Sequence, residues 1–312
     1  MRASGNMRDR QDAQDRRDAA SSISSLPPLP PAELDPFRAP GESRDLAYVS
    51  IHNHSCYSIL DSCCSIDALI ERAVDDGMTA LGLVDHDSLS GAVQFVQGCA
   101  RAGIRPIVGA ELTLEDKAGR PDQLVVLCEN NEGYRNLCRL LTRETHEFRP
   151  LPSWKLVERS AGLIALSGCG EGRFGRLLLE GRSAEAIDLA RYWQTVFGRE
   201  NFYAELFPAP SAIIDRVALA AGDASVPLLA SANVHFENDD HRHRYEVLSS
   251  IRTLTLLREP NLAKRELGWG GAFQTQQEAD RLFGHWPESL ASSLHIADRC
   301  HLEVFEPLMA TA

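Results

Sequence analysis

Three pieces of text decide the fold: Tyr48-Val49-Ser50-Ile51-His52-Asn53-His54, Thr79-Ala80-Leu81-Gly82-Leu83-Val84-Asp85-His86-Asp87 and Ile107-Val108-Gly109-Ala110-Glu111. In each, a short apolar run ends in, or is interrupted by, residues that can bind a cation. Ala47 to Ile51, Ala80 to Val84 and Ile107 to Leu114 read as strands, since short apolar runs bounded by polar text fit buried β-structure. Between the first two, Ser65 and Asp67 offer N-caps to a helix that runs to about Asp76 and stops at Gly77. Ser88 to Ala102 reads as the next helix, stopped by Gly103.

The pattern continues downstream. Gln123 to Cys128, Leu163 to Leu166, Phe202 to Leu206 and Leu228 to Ala230 read as strands. Asn131 to Glu144, Gly175 to Leu179, Ala184 to Phe197 and Ile213 to Ala221 read as helices. Alternation of this kind predicts parallel β-α units, and so many of them predict a closed or distorted β/α barrel. Residues 1–44, rich in Arg, Asp, Ser and Pro, are expected to be a disordered arm. The barrel is expected over residues 45–257. Residues 258–312, with helical text from Gln276 to Cys300, are expected to be a C-terminal helical extension.

Composition narrows the function. The chain has 312 residues, 44% hydrophobic and 24% charged, with a formal net charge of −12. A protein that grips duplex DNA through many phosphates is usually basic, so strong autonomous duplex binding is not expected. The eight cysteines contain no CxxC pair. A chain of this size needs no disulfide framework, and a reducing compartment is expected. The sequence has no apolar run long enough to span a membrane, and its charged start is not a secretory signal. These features point to the cytoplasm.

The strand ends carry the chemistry. His52 and His54, at i and i+2 beyond a strand, point the same way and suit joint ligation of one cation. Asp61 follows them. Asp85 and His86 end the next strand. Glu111 is a carboxylate inside apolar strand text, which is costly unless a cation or partner compensates it. Cys169, in Leu166-Ser167-Gly168-Cys169-Gly170, is a thiol at another strand end. Asn233 and His235 repeat the i, i+2 spacing after Leu228 to Ala230. Five strand ends that all deliver such groups predict one multinuclear site. The mixed N, O and S set suits Zn²⁺ or Mn²⁺, two or three ions, better than Mg²⁺ or Ca²⁺. Such a site can clamp a phosphate and acidify a water.

The quoted text, together with Glu132 to Leu137, Gly162 to Cys169, Asn201 to Leu206 and Asp298 to Cys300, resembles the PHP (polymerase-and-histidinol-phosphatase) domain of bacterial DNA polymerase III alpha subunits. It looks most like the error-prone polymerase branch. The resemblance implies a distorted seven-stranded β/α barrel with a trinuclear metal site. It implies the ligands His52, His54, Asp61, His86, Glu111, Cys169 and His235, with His146 for one further family histidine. The family has an aspartate where this chain has Asn233, and an amide supplies no charge. No text after Cys300 resembles a polymerase palm.

The expected function is therefore metal-dependent phosphoester hydrolysis, with Asp85 and His86 as candidate catalytic residues. The substrate would be a phosphomonoester or the 3′ end of a DNA strand, and a separate polymerase chain would be a possible partner. Two rivals remain: a catalytically weakened scaffold within a polymerase assembly, and a hydrolase of carbon–nitrogen bonds.

Overall fold

The elements follow from local signals that the side chains complete. A computed structural model describes residues 47–115, 121–142, 150–258 and 270–309. The arm expected over residues 1–44 lies outside them. The strands are β1 (Ala80–Leu83), β2 (Arg105–Glu115), β3 (Pro121–Cys128), β4 (Leu151–Pro152), β5 (Leu163–Leu166), β6 (Phe202–Leu206) and β7 (Leu228–Ala230). The helices are α1 (Ile66–Asp75), α2 (Ala92–Ala102), α3 (Asn131–Leu141), α4 (Ser153–Glu158), α5 (Arg173–Leu179) and α6 (Ser183–Phe197). After them come α7 (Ser211–Ala224), α8 (Arg242–Thr253), α9 (Gln276–Phe283), α10 (Pro287–Arg299) and α11 (Glu306–Met309). Ser65 caps α1 by accepting from the Ala68 amide, as its position in the sequence suggests. Helix α2 starts later than expected, because the Ser88 hydroxyl accepts from the Ser90 amide and offers the chain a turn instead. The helical text from Gln276 divides at residues 284–286, and Pro287 begins α10, where a missing N–H costs nothing.

The strands form one curled seven-stranded sheet in the order β1-β2-β3-β5-β6-β7, with β4 paired to β2 off that path. Pairs β1–β2, β5–β6 and β6–β7 are parallel. Strand β3 departs from the expected all-parallel pattern and runs antiparallel to both β2 and β5. Only five residues separate β2 from β3, too few for a crossover helix, so the chain must turn straight back.

The first expected strand, Ala47 to Ile51, is extended but not a regular strand. Its place in the architecture is still a strand's place. The Gly82 and Val84 amides donate to the Ser50 and Asn53 carbonyls at 2.8 and 2.9 Å. On the other side His54 donates to Val234, and Val234 to His52, each at 2.9 Å. The segment thus bridges the β1 and β7 edges and brings His52 and His54 to the same rim as Asn233 and His235. The ladder is interrupted because the Tyr48 and Val49 amides donate to the Gln276 and Ser293 side chains instead. The approach is so close that a Cβ on Gly82 would lie 2.0 Å from the Ile51 carbonyl oxygen.

Alternation then builds two apolar layers. Leu163 and Ala165 of β5 face the helices, while Ile164 and Leu166 join Val49, Ile51, Ile107, Val125 and Leu229 inside the curl. Ile296 and Ala297 of α10 belong to the inner layer, so this helix plugs the end of the barrel opposite the site. Ile296→Ala is therefore expected to cost about 2–4 kcal/mol in a urea titration. A cost well under about 1 kcal/mol would mean that α10 is only laid against the surface. All eight cysteines are free thiols. No described helix is long and apolar enough to cross a membrane.

Candidate metal centre

The strand ends meet. His52 and His54 follow the bridging segment, His86 follows β1, Glu111 lies in β2, Cys169 follows β5, Glu205 lies in β6, and Asn233 and His235 follow β7. Their side chains are buried, apart from His86, which is 15% exposed. His54 stacks between two other imidazoles, with ring centroids 4.2 Å from His86 and 4.5 Å from His235. Three sets of donor atoms each lie within 4.8 Å of one another: His54, His86 and His235; His52, Cys169 and Glu205; His52, His54 and Glu111.

The proton positions follow from the partners. His235 Nδ1 is 2.6 Å from the Asp61 carbonyl oxygen, which can only accept, so Nδ1 carries the proton. His52 Nδ1 is 2.7 Å from Glu205 Oε1, again a donor to an acceptor. Ser58 uses its hydroxyl proton on Asp85 at 2.6 Å, so towards His54 Nδ1, at 3.4 Å, it can only accept. Three imidazoles therefore turn Nε2 lone pairs inward. His52 Nε2 and His54 Nε2 are 3.1 Å apart. Asn233 Oδ1, itself an acceptor, lies 3.2 Å from His54 Nε2 and 3.0 Å from His235 Nε2. Glu111 Oε2 lies 3.4 Å from His54 Nε2 and 2.8 Å from His86 Nδ1. Two nitrogens bound to one tetrahedral ion sit about 3.4 Å apart. Lone pairs aimed at one another at this spacing are what a cation would resolve, so the donor set fits metal binding.

The surroundings set the charges. Burial disfavours an imidazolium at His52, yet the charge and hydrogen bond of Glu205 outweigh it and hold the His52 pKa above its ordinary value. Burial likewise opposes the Glu205 carboxylate, but His52 and the Gly168 amide keep its pKa below the ordinary value. Glu205 Oε2 accepts from the Gly168 and Cys169 amides at 2.7 and 3.0 Å. Burial pushes the Cys169 thiol well above its usual pKa, reinforced by the Glu205 charge. Only a bound cation would make it a thiolate. Cys169 and Asn233 both adopt left-handed backbone, with φ of 53° and 48°. For a cysteine that conformation is strained, and strain of this kind clusters at working sites.

Asp61 Oδ2 is 2.6 Å from His86 Nε2. Its Oδ1 accepts from Arg252 of α8. Asp85 lies apart from this convergence. Its carboxylate accepts from the Ser55 amide and hydroxyl and from the Ser58 hydroxyl, at 2.7, 2.7 and 2.6 Å. Ser58 in turn accepts from the His86 amide at 3.1 Å, so Asp85 reaches His86 and His54 through Ser58. His146 lies outside the described residues. The structure thus brings together His52, His54, Asp61, His86, Glu111, Cys169, Asn233 and His235.

Two residues were missed from sequence. Glu205 carried a legible signal: a carboxylate within the apolar strand text Phe202 to Leu206, the same cue that singles out Glu111. Arg252 carried none, because it lies on an ordinary helix 191 residues from Asp61.

Comparison with known proteins agrees with this architecture. The family model described as "PHP domain" matches residues 50–209. A DNA polymerase III subunit alpha of Treponema pallidum is 30% identical over 280 residues, covering 84% of this chain and 24% of that protein. An error-prone DNA polymerase of Symbiobacterium thermophilum is 35% identical over 281 residues, covering 82% and 25%. The chain thus spans about a quarter of the length of these curated relatives. Among solved structures, an amidohydrolase from Chromobacterium violaceum is 15% identical with a TM-score of 0.48, over 65% of this chain and 97% of that one. At that score the likeness says nothing about chemistry. The family model spans more than half of the chain and takes in the His52-Asn53-His54 segment, His86, Glu111, Cys169 and Glu205; the chain belongs to the PHP domain family.

Proposed function

We propose that this chain is a metal-dependent phosphoester hydrolase, acting on a phosphomonoester or on a DNA 3′ end. The observation that carries this reading is the convergence of three histidine Nε2 lone pairs, whose Nδ1 protons are committed elsewhere, on the Glu111 carboxylate and the Asn233 amide. His52, His54, Asp61, His86, Glu111, Cys169, Asn233 and His235 would hold two or three Zn²⁺ or Mn²⁺ ions, with His146 as a further ligand. Bound there, such ions would polarise a phosphoryl oxygen and acidify a water. Glu205 fixes the tautomer and orientation of His52. Asp85 pins Ser58, which positions the His86 amide and the His54 ring. His86, the most exposed histidine of the cluster, would be the group to pass a proton to the leaving oxygen in a state where it holds no ion. The net charge of −12 favours a small substrate, or a strand presented by a partner such as a polymerase chain.

Asn233 favours a second reading, a weakened scaffold within a polymerase assembly. Its amide oxygen sits where the family resemblance expects a carboxylate, and it brings no charge to the His54 and His235 side of the cluster. One experiment separates the two. The purified chain is loaded with Mn²⁺ or Zn²⁺, its metal content is measured, and p-nitrophenyl phosphate and a labelled single strand are supplied. Metal-dependent turnover is expected, and Asn233→Asp is expected to raise it about tenfold or more, with additional bound metal. Stoichiometric metal with no turnover in either protein would leave the scaffold. A chain that holds no metal would sink both.

A further inference from the structure

We propose that Arg252 binds the phosphoryl group of the substrate at this site; the proposal rests on the hydrolase reading above. Arg252 lies in the last turn of α8, and its side chain is 26% exposed, against 6% for that of Asp61. Its Nη1 donates to Asp61 Oδ1, while the other oxygen of Asp61 meets His86. Its Nη2 is buried and meets no hydrogen-bond acceptor among the described residues.

Two arginines that serve structure in this chain commit more of their donors. Arg299 sets Nε and Nη2 on Glu129 at 3.0 and 2.7 Å and gives Nη1 to the Glu200 carbonyl. Arg182 sets Nε and Nη2 on Glu185 at 2.7 Å each. Arg182 thus meets both carboxylate oxygens with its planar fork, and Arg299 brings two donors to the single oxygen Oε1 of Glu129. Among the described residues Arg252 touches Asp61 with one prong, and its other prong meets no acceptor. A buried donor on a permanently charged group is expensive to leave unmade, and a phosphoryl oxygen would satisfy it. Asp61, Glu111 and Glu205 make the surroundings acidic, so an anion gains from a fixed guanidinium charge in addition to any bound cation. A phosphoryl group supplies oxygens to the spare prong and to whatever cations the histidines hold. Asp61 would then be shared, fixing the guanidinium on one side and a cation on the other.

The test uses the full chain loaded with Mn²⁺. Metal per chain is measured by elemental analysis, inorganic phosphate affinity by calorimetry, and KM and kcat with p-nitrophenyl phosphate. Arg252→Ala is expected to hold as much metal as the wild type, to bind phosphate at least about tenfold more weakly, and to raise KM more than it lowers kcat. Arg252→Lys, which keeps the charge but not the fork, is expected to recover part of the affinity. Circular dichroism checks that both variants fold. Unchanged phosphate affinity in a metal-loaded Arg252→Ala overturns the proposal and leaves the hydrolase reading intact. So does loss of metal in step with phosphate, since Arg252 would then only position Asp61. A metal-loaded wild type with no phosphate binding overturns it as well. A wild type that holds no metal removes the hydrolase reading and this proposal together.

Discussion

Replacing His52 and His54 together by alanine is expected to strip the chain of metal and to abolish metal-dependent hydrolysis. The two rings meet at Nε2, 3.1 Å apart, and His54 also faces Glu111 and Asn233, so the pair touches all three donor sets. Structural zinc sites bind with about 10–16 kcal/mol over four ligands, or about 3 kcal/mol each. Two lost ligands then weaken metal affinity by about 10⁴-fold. Metal content after dialysis against a weak chelator reads this directly, and turnover should fall to the level of the metal-free protein. Loss of His52 also leaves Glu205 buried beside no imidazole, so folding must be checked by thermal denaturation. His54→Gln, which spares the His52–Glu205 pair, separates lost ligation from lost fold. Full metal content in the folded double variant would place the cations elsewhere.

The second large effect concerns Glu205, which is 1% exposed and links His52 to two backbone amides. Glu205→Ala leaves an imidazole and two N–H groups buried without their partner. Breaking a buried pair in this way costs about 3–5 kcal/mol. Glu205→Gln keeps an oxygen for the amides and should cost less stability, but weaken metal binding by about 10–100-fold because His52 is no longer held by a charge. The pH dependence has a definite sign. The lowered Glu205 pKa gives stability that is present above the unfolded value of about 4.3 and is lost as pH falls through the folded one. The raised His52 pKa gives stability that is complete below about 6.5 and is lost as pH rises through the folded value. The metal-free chain should therefore gain most from this pair between about pH 4.5 and 6.5. Metal affinity should run the other way and rise with pH above that window, since the proton on His52 Nε2 competes with the ion. Denaturation of the chelated protein and metal titration, each at several pH values, check the two trends. In Glu205→Gln both should flatten.

The parts of the site differ in how far they could be read from the residues alone. His52, His54 and His86 stand directly after apolar runs, where a strand must end and its polar neighbours must face the rim. Asn233 and His235 share that property. Glu111 and Glu205 break apolar text, and the same reasoning applies to both. Adjacency to His86 makes Asp85 a catalytic candidate in the sequence. The structure turns its carboxylate into the Ser55–Ser58 loop, because two hydroxyls and an amide there need an acceptor.

The fold divides along the same line. Local periodicity, caps and stops determined most elements, since burial of a strand or a helix face writes a period of two or of about 3.6 into the chain. Periodicity carries no direction, so the antiparallel course of β3 came only from the short β2–β3 connection and the pairings on both its edges. The strand expected over Ala47 to Ile51 lost its regular ladder to Gln276 and Ser293, more than 220 residues away in the chain. Residue types and their places at strand ends are a property of sequence, and they determined that this protein gathers imidazole, carboxyl and thiol groups. Which nitrogen keeps its proton, which carboxylate orients which ring, and that Arg252 stands beside Asp61 were decided by tertiary structure alone. Those relations are set by distances of about 3 Å between groups far apart in the chain, and such distances exist only once the sheet has curled.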